Sequence, residues 1–269
     1  MAIIALNSAA TGLSALQTSL DVTANNLANA NTDGFKASRV NFQDLLYIER
    51  SQPGTENANG DRRPTGLFVG LGTKVSGTQL DFSQGPPKAT DRELDIMIDG
   101  RGFFQVEIED DVGDGIGYTR AGNFTLNADG EIVLATDQGR RLIPNIQVDE
   151  TASNITISAD GVVSVQLPGQ IDPQVVGNIQ IATFINSTGL KQIGENLFVP
   201  SAASGDPLVG DPAEANRGRL LQGFLEGSNV DPVTELINLI RTQRAFEFNS
   251  QSIQAADEAL QTIGNLRRF

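Results

Sequence analysis

Both ends of the chain carry apolar residues at heptad spacing, and two such stripes in one sequence constrain its fold more than any other feature. Leu6, Leu13, Leu20 and Leu27 recur every seven residues, and Ala9, Leu16 and Thr23 follow the first three by three. That is the a/d seam of a helix that has to meet another helix. A helix of about 25 residues is roughly 38 Å long, and no local loop covers a stripe of that length. The segment ANTDGF ends it, because Asn31, Thr32 and Asp33 disfavour helix and Gly34 suits a positive-φ turn. Near the other end Asp231 and Pro232 form an N-cap and first-turn pair, after which Val233, Leu236, Ile237 and Ile240 recur at three and four. Further on Phe246, Ile253 and Leu260 stand seven apart, Ala256 and Ile263 follow the last two by three, and Arg267 and Arg268 sit at the helix's negative end. The polar patch Thr242-Gln243-Arg244 reads either as a register-setting layer or as a change of buried face. The two terminal helices are expected to pair.

Between them the period changes to two, with Gly, Asn and Asp turns at short intervals, which is an all-β pattern. IMIDGRGFFQVEI at 96–108 reads as strand, Gly turn, strand; NFTLNADGEIVLA at 123–135 and ITISADGVVSVQ at 155–166 read as hairpins on Ala-Asp-Gly turns. The expected class is therefore α+β. Residues 1–35 and 226–269 supply the helices of a discontinuous coiled-coil domain, 36–95 an extended connector with a polar stretch at 47–66, and 96–225 a central all-β domain. The stretch 51–66 holds no apolar residue larger than Ala58 or proline, so it is either a flexible tip or is ordered by neighbours.

The chain has no His and no Cys, which removes the usual zinc sites, haem ligation, Cys nucleophiles, disulfides and His-based acid–base chemistry. Carboxylate-only or Ser/Lys chemistry survives that cut. The loop starting at Asp110 fails as an EF-hand, with Val112 third and Ala121 twelfth, and no phosphate loop, GxSxG or SxxK motif occurs. No catalytic, cofactor-binding or metal site is expected, and no cofactor. A formal net charge of −14 repels nucleic acid. No apolar run approaches the roughly 20 residues of a membrane span. The absence of Lys and Arg from residues 1–35 argues against a cleaved secretory signal. The balance tilts toward a structural or binding role.

Five segments share one resemblance: ANNLANANTDGFK at 24–36, GRGFFQV at 100–106, YTRAGNFTLNADGEIV at 118–133, GENLF at 194–198 and EGSNVDPVTELINLIRTQRAFEFNSQSIQAADEALQTI at 226–263. In this order, and covering both ends and the middle, they resemble the bacterial flagellar rod and hook axial protein family. The length, SQPG at 51–54 and PTGLFVGLGTKV at 64–75 are similar to its distal-rod members. A proximal-rod or hook-type member is the alternative, and a secreted carboxylate-dependent wall-degrading enzyme a more distant one.

The resemblance implies a structural subunit that self-assembles into a rigid tubular drive shaft in the basal body, spans the periplasm, transmits torque and conducts exported subunits. The partners it implies are further copies of the chain, proximal rod proteins, the hook protein, the P-ring and L-ring bushing proteins, the rod cap and the flagellar type III export apparatus, with export proceeding without signal cleavage. Carried onto this sequence, self-assembly falls to Leu6, Leu13, Leu16, Leu20 and Leu27 on the first helix and to Leu236, Ile240, Phe246, Ile253, Leu260 and Ile263 on the second. Arg244 joins them from the QRAFE segment, where family members usually carry Tyr in place of Phe246. Asn25, Asn26 and Asn29 serve either inter-subunit hydrogen bonds or helix termination. Tyr47, Pro53, Pro64 and Gly66 mark the stretch expected to stiffen the rod.

Overall fold

The computed structural model describes residues 2–56, 62–109, 113–149, 151–152, 154–169 and 172–266. Asp110, Asp111, Arg267, Arg268 and the side chain of Ile263 lie outside the described residues. The class is mixed α+β, and the chain gathers into two compact units. One comprises Met1–Ala28, Ser38–Leu80 and Asp231–Phe269, and the other Asn29–Ala37 and Asp81–Val230.

The first unit holds both helices, α1 (Ala2–Ala28) and α2 (Pro232–Leu266). The start of α2 follows from its cap. Asp231 accepts the Val233 N–H at 3.1 Å and the Thr234 hydroxyl at 2.6 Å, and Pro232 has no N–H to leave unpaired.

Residues 38–80 form a two-stranded ribbon where an extended connector was expected. Strand β1 (Ser38–Asp44) pairs antiparallel with β4 (Thr73–Leu80), and β2 (Tyr47–Ser51) with β3 (Leu67–Gly70). Leu45 N–H to Gly72 O at 2.9 Å and Leu71 N–H to Leu46 O at 3.1 Å join the two pairings into one ladder. Gly54 N–H to Arg63 O at 2.9 Å carries it on toward the tip. The sequence hides the outer pair, β2 with β3, because it has hardly any buried face, and without one the alternation of apolar and polar residues that marks a strand does not arise.

The second unit is all β. Its largest sheet runs β16 (Lys191–Gly194), β17 (Leu197–Val199), β8 (Ile116–Thr119), β7 (Phe103–Glu107), β15 (Ile181–Thr183), β18 (Leu208–Gly210), with β11 (Leu142–Ile143) also on β7. A second sheet orders β12 (Asn154–Ile157), β13 (Val162–Gln166), β14 (Gln174–Asn178). Three pairs complete it: β5 (Pro87–Ala89) with β20 (Phe224–Glu226), β6 (Ile96–Asp99) with β19 (Arg219–Gln222), and β9 (Phe124–Leu126) with β10 (Ile132–Leu134). Both Ala-Asp-Gly segments are hairpin turns, Gly130 at φ 77° and Gly161 at φ 93°. Ile96, Phe104, Phe124, Ile132, Leu142, Val163 and Ile179 fill the core between these sheets.

Residues 29–37 close this unit as a separate pass of chain. Lys36 reaches into the interior and donates to Glu226 Oε1 at 2.6 Å and to the Ser83 carbonyl at 2.7 Å. The same Glu226 accepts the Gly85 N–H at 2.9 Å and meets Arg120 Nε at 3.0 Å. Two cations thus share one carboxylate, and backbone carbonyls take the surplus: Arg120 donates to Gly102 O at 2.8 Å and Gly100 O at 2.9 Å. Burial pulls the Lys36 ammonium below its ordinary range, and the Glu226 charge pulls it back. Asn229 ties the pass again, accepting the Ala37 N–H at 2.7 Å and donating to Asp81 O at 2.8 Å. Gly34 is obligatory here, since at φ 75° a Cβ would stand 2.7 Å from Ala121 N.

Removing one member of a buried ion cluster strands the others, at a cost of about 3–5 kcal/mol. Glu226→Ala is therefore expected to lower the stability of the β unit by about that amount in urea unfolding followed by its β circular-dichroism signal. A loss below about 1 kcal/mol would show that the node is well solvated and structurally minor.

Candidate functional site

The first helix meets the second through small and polar side chains. A Cβ on Gly12 would stand 3.2 Å from Asn249 Nδ2; Ser19 and Thr242 line one cleft of about 260 Å³; Asn26 hydrogen-bonds Glu235. These three pairs share one antiparallel register. Among the described residues of α1 the buried positions are Ala15, Thr23 and Asn26, none of them leucine. On α2 the half-buried positions include Glu235, Leu239, Thr242, Phe246, Asn249, Ile253, Ala256 and Leu260, which alternate by four and three, with Asn238, Ala245 and Ser250 beside them. The polar patch at 242–244 thus puts Thr242 in the seam, while Gln243 and Arg244 face solvent.

On α2 the larger apolar residues divide between that seam, which takes Leu239, Phe246, Ile253 and Leu260, and an open face. Leu6, Leu13, Leu16, Leu20 and Leu27 are only half-buried. On α2 the stripe Val233, Leu236, Ile237, Ile240 is open to solvent, Val233 at 66% exposure, and Phe248 at 64%. Spacing of i, i+3, i+4, i+7 makes this a second apolar face, apart from the seam. Exposed apolar stripes of that size mark contacts with another molecule. Sequence reading found Leu236 and Ile240 but gave the internal seam to the leucines. The small residues that fill it, Gly12, Ala15 and Ser19, left a stripe at the same heptad spacing that was there to be read.

The asparagines at the end of α1 divide. Asn26 donates to Ser38 O at 2.7 Å and accepts the Ser38 N–H at 2.9 Å, so its amide pairs like a strand neighbour and docks the start of β1. Asn29 accepts the Thr32 N–H at 3.1 Å and its hydroxyl at 3.2 Å, which shapes the turn after the helix. Asn25 is exposed on the last turn.

The ribbon packs on α1 through β1 and β4. Gly72, at φ 116°, leaves room for Thr11, whose Oγ1 would lie 2.1 Å from a Cβ there. Of the four residues expected in the stiffening stretch, Pro53 and Gly66 are brought together, a Cβ on Gly66 falling 2.9 Å from Pro53 Cδ. Tyr47 covers Gly70 further down, and Pro64 is exposed. The ribbon's apolar side chains Phe42, Leu46, Tyr47, Leu67 and Phe68 are all exposed, Leu46 at 83%. Among the described residues no cluster of three His, Cys, Asp or Glu could hold a metal ion.

Glu235 couples the helix seam to pH. Burial holds its carboxyl above the ordinary range, the Asn26 hydrogen bond opposes this, and the neighbouring Asp231 adds to it. A carboxyl raised on folding binds its proton more tightly in the folded state, so the gain is full below the unfolded pKa of about 4.3 and is lost as pH rises through the raised folded value. Glu235→Gln should remove this part of the acid-side gain, seen as a smaller rise in helix melting temperature between neutral pH and the carboxylate range. Identical pH slopes in the two proteins would contradict it.

Three family models match the chain: flagella basal body rod protein over residues 6–36, flagellar hook protein FlgE/F/G D1 domain over 97–165, and flagellar basal body rod FlgEFG protein C-terminal over 221–266. Flagellar basal-body rod protein FlgG of Caulobacter vibrioides is 45% identical across 98% of this chain and 99% of its own length. The Borreliella burgdorferi protein of that name is 42% identical over 98% of both chains, and the Bacillus subtilis one 39% over 98% of both.

Proposed function

This chain belongs to the flagellar basal-body rod protein family and is a structural subunit of the distal rod, not an enzyme, and from that premise we propose that the outward apolar faces of its terminal helices build the wall of a helical homopolymer. It works in the basal body, in an assembly with copies of itself and with other rod or hook components. The observation that supports the proposal is the exposed apolar stripe Val233, Leu236, Ile237 and Ile240 on the second helix; with it, the half-buried Leu6, Leu13, Leu16, Leu20 and Leu27 of the first are assigned to neighbouring subunits. In the polymer these faces pack as coiled-coil seams and form an inner tube from 1–35 and 226–269, while Phe246, Ile253 and Leu260, with Ile263 next in their spacing, hold the two helices of one subunit together for that assembly. Asn25, Asn29 and Arg244 supply polar contacts at its rim.

The remainder of the chain then forms the outside of a rigid shaft that spans the periplasm and transmits torque. Residues 1–80 balance six acidic against six basic side chains, whereas 81–230 carry 22 against 9. An acidic outer layer repels like surfaces and stays hydrated, which suits a shaft turning inside P-ring and L-ring bushings. Proximal rod, hook protein, rod cap and type III export apparatus are the remaining partners in this reading. The ribbon stretch marked by Tyr47, Pro53, Pro64 and Gly66 is assigned the stiffness: wedged between subunits, it blocks the axial sliding that bending requires.

Leu20→Asp should abolish polymerisation while leaving the β circular-dichroism signal intact, since a carboxylate in a buried seam costs several kcal/mol and the β unit has its own core. Loss of both together would contradict two independent units. Deleting residues 48–63 should give tubes that curve in electron micrographs; tubes as straight as the parent would move stiffness to the β-unit contacts.

A further inference from the structure

The GRG segment at 100–102 builds one side of a groove that none of the contacts above uses. Gly100 and Gly102 take φ of 113° and 146°, and buried Arg120 grips both of their carbonyls while Gly218 N–H binds Arg101 O at 2.7 Å. The loop backbone is therefore fixed, and it carries an exposed Arg101 side chain that has no hydrogen-bond or ion-pair partner among the described residues. Beneath it lies a groove of about 560 Å³ with an aromatic floor, in which Phe103 meets Phe82 at 5.4 Å and Phe184 at 5.8 Å, both edge-on. Its rim is apolar and open, with Ile185 at 85% exposure and Leu208 beside it. An aromatic floor with one fixed, unpaired cation fits an occupant that offers aromatic anchors around a carboxylate.

The ribbon offers that pattern. Glu49 stands directly opposite Phe68 in the β2–β3 ladder, and Tyr47, two residues earlier, lies on the same face. Both rings are exposed, and Glu49 has no partner among the described residues. The ribbon is also nearly neutral, with five basic and four acidic residues over 38–80, so it can approach an acidic unit that repels more acidic segments. We infer that the Tyr47–Glu49–Phe68 face of one subunit docks in the Arg101 groove of another copy of this chain. This rests on the reading of the ribbon as an inter-subunit wedge and names the surface it meets. Donor and acceptor are different surfaces, so the contact is head-to-tail and need not close into a ring, as an open-ended polymer requires.

The natural chain has no Cys, so single-Cys variants of the full-length protein report the contact cleanly. Glu49→Cys mixed with Arg101→Cys under polymerising conditions and mild oxidation should yield disulfide-linked dimer about tenfold above Glu49→Cys mixed with Lys191→Cys. Equal yields with the two partners would overturn the groove and leave the wedge standing. A double variant, Glu49→Cys with Arg101→Cys, that links only within one chain would overturn docking between copies. No dimer from Glu49→Cys with either partner, in tubes that still form, would overturn both the groove and the wedge. A charge exchange gives a second readout: Glu49→Arg and Arg101→Glu should each raise the concentration needed for polymerisation, and together restore it. Singles without effect, or a double no better than either, would count against the pairing.

Discussion

Gly12, Ser19 and Asn26 set small and polar groups against Asn249, Thr242 and Glu235, and that register fixes which face of each helix is left outside the pair. A pair of long helices in a single-chain protein normally turns its leucines inward, because burial at about 25 cal/mol per Å² is what holds them together. Here the leucines flank the contact, and Val233, Leu236, Ile237 and Ile240 face outward. In the proposed polymer that outward stripe is buried by neighbouring subunits.

The β unit depends on no such neighbour. Lys36 and Glu226, 190 positions apart, join inside it with Arg120, and Asn229 stitches the entering and leaving passes together. Its core of Ile96, Phe104, Phe124 and Leu142 is fully enclosed. The chain therefore carries a self-sufficient unit and a dependent one. Local stability is placed unevenly, as in proteins whose binding elements come from the less stable end.

The outline of this arrangement was legible in the sequence where a local rule acts alone. Asp231-Pro232 marked the start of α2, Gly34 the turn, and the two Ala-Asp-Gly segments their hairpins, because each is set by backbone geometry within a few residues. The outer part of the ribbon was not legible, since strands with two exposed faces lack the alternation that betrays them. Heptad spacing located both helices and, through Phe246, Ile253, Ala256 and Leu260, the half-buried side of α2, but on α1 it marked the leucines rather than the small residues beside them. Glycine, alanine and serine at 12, 15 and 19 carry little hydrophobic signal, although they allow the closest approach. Lys36 and Glu226 were invisible as a pair: a charge in sequence reads as surface, and only the long-range closure of the unit shows that both are buried.

Amide hydrogen exchange tests the central claim most directly, comparing dilute subunit with assembled polymer. The account predicts fast exchange through α1 and α2 in the dilute protein, slow exchange in the β unit under both conditions, and protection of both helices only in the polymer. Strong protection of α1 in the dilute subunit, equal to that of the sheets, would show that the seam is sufficient by itself and that the outward apolar faces are not what assembly completes.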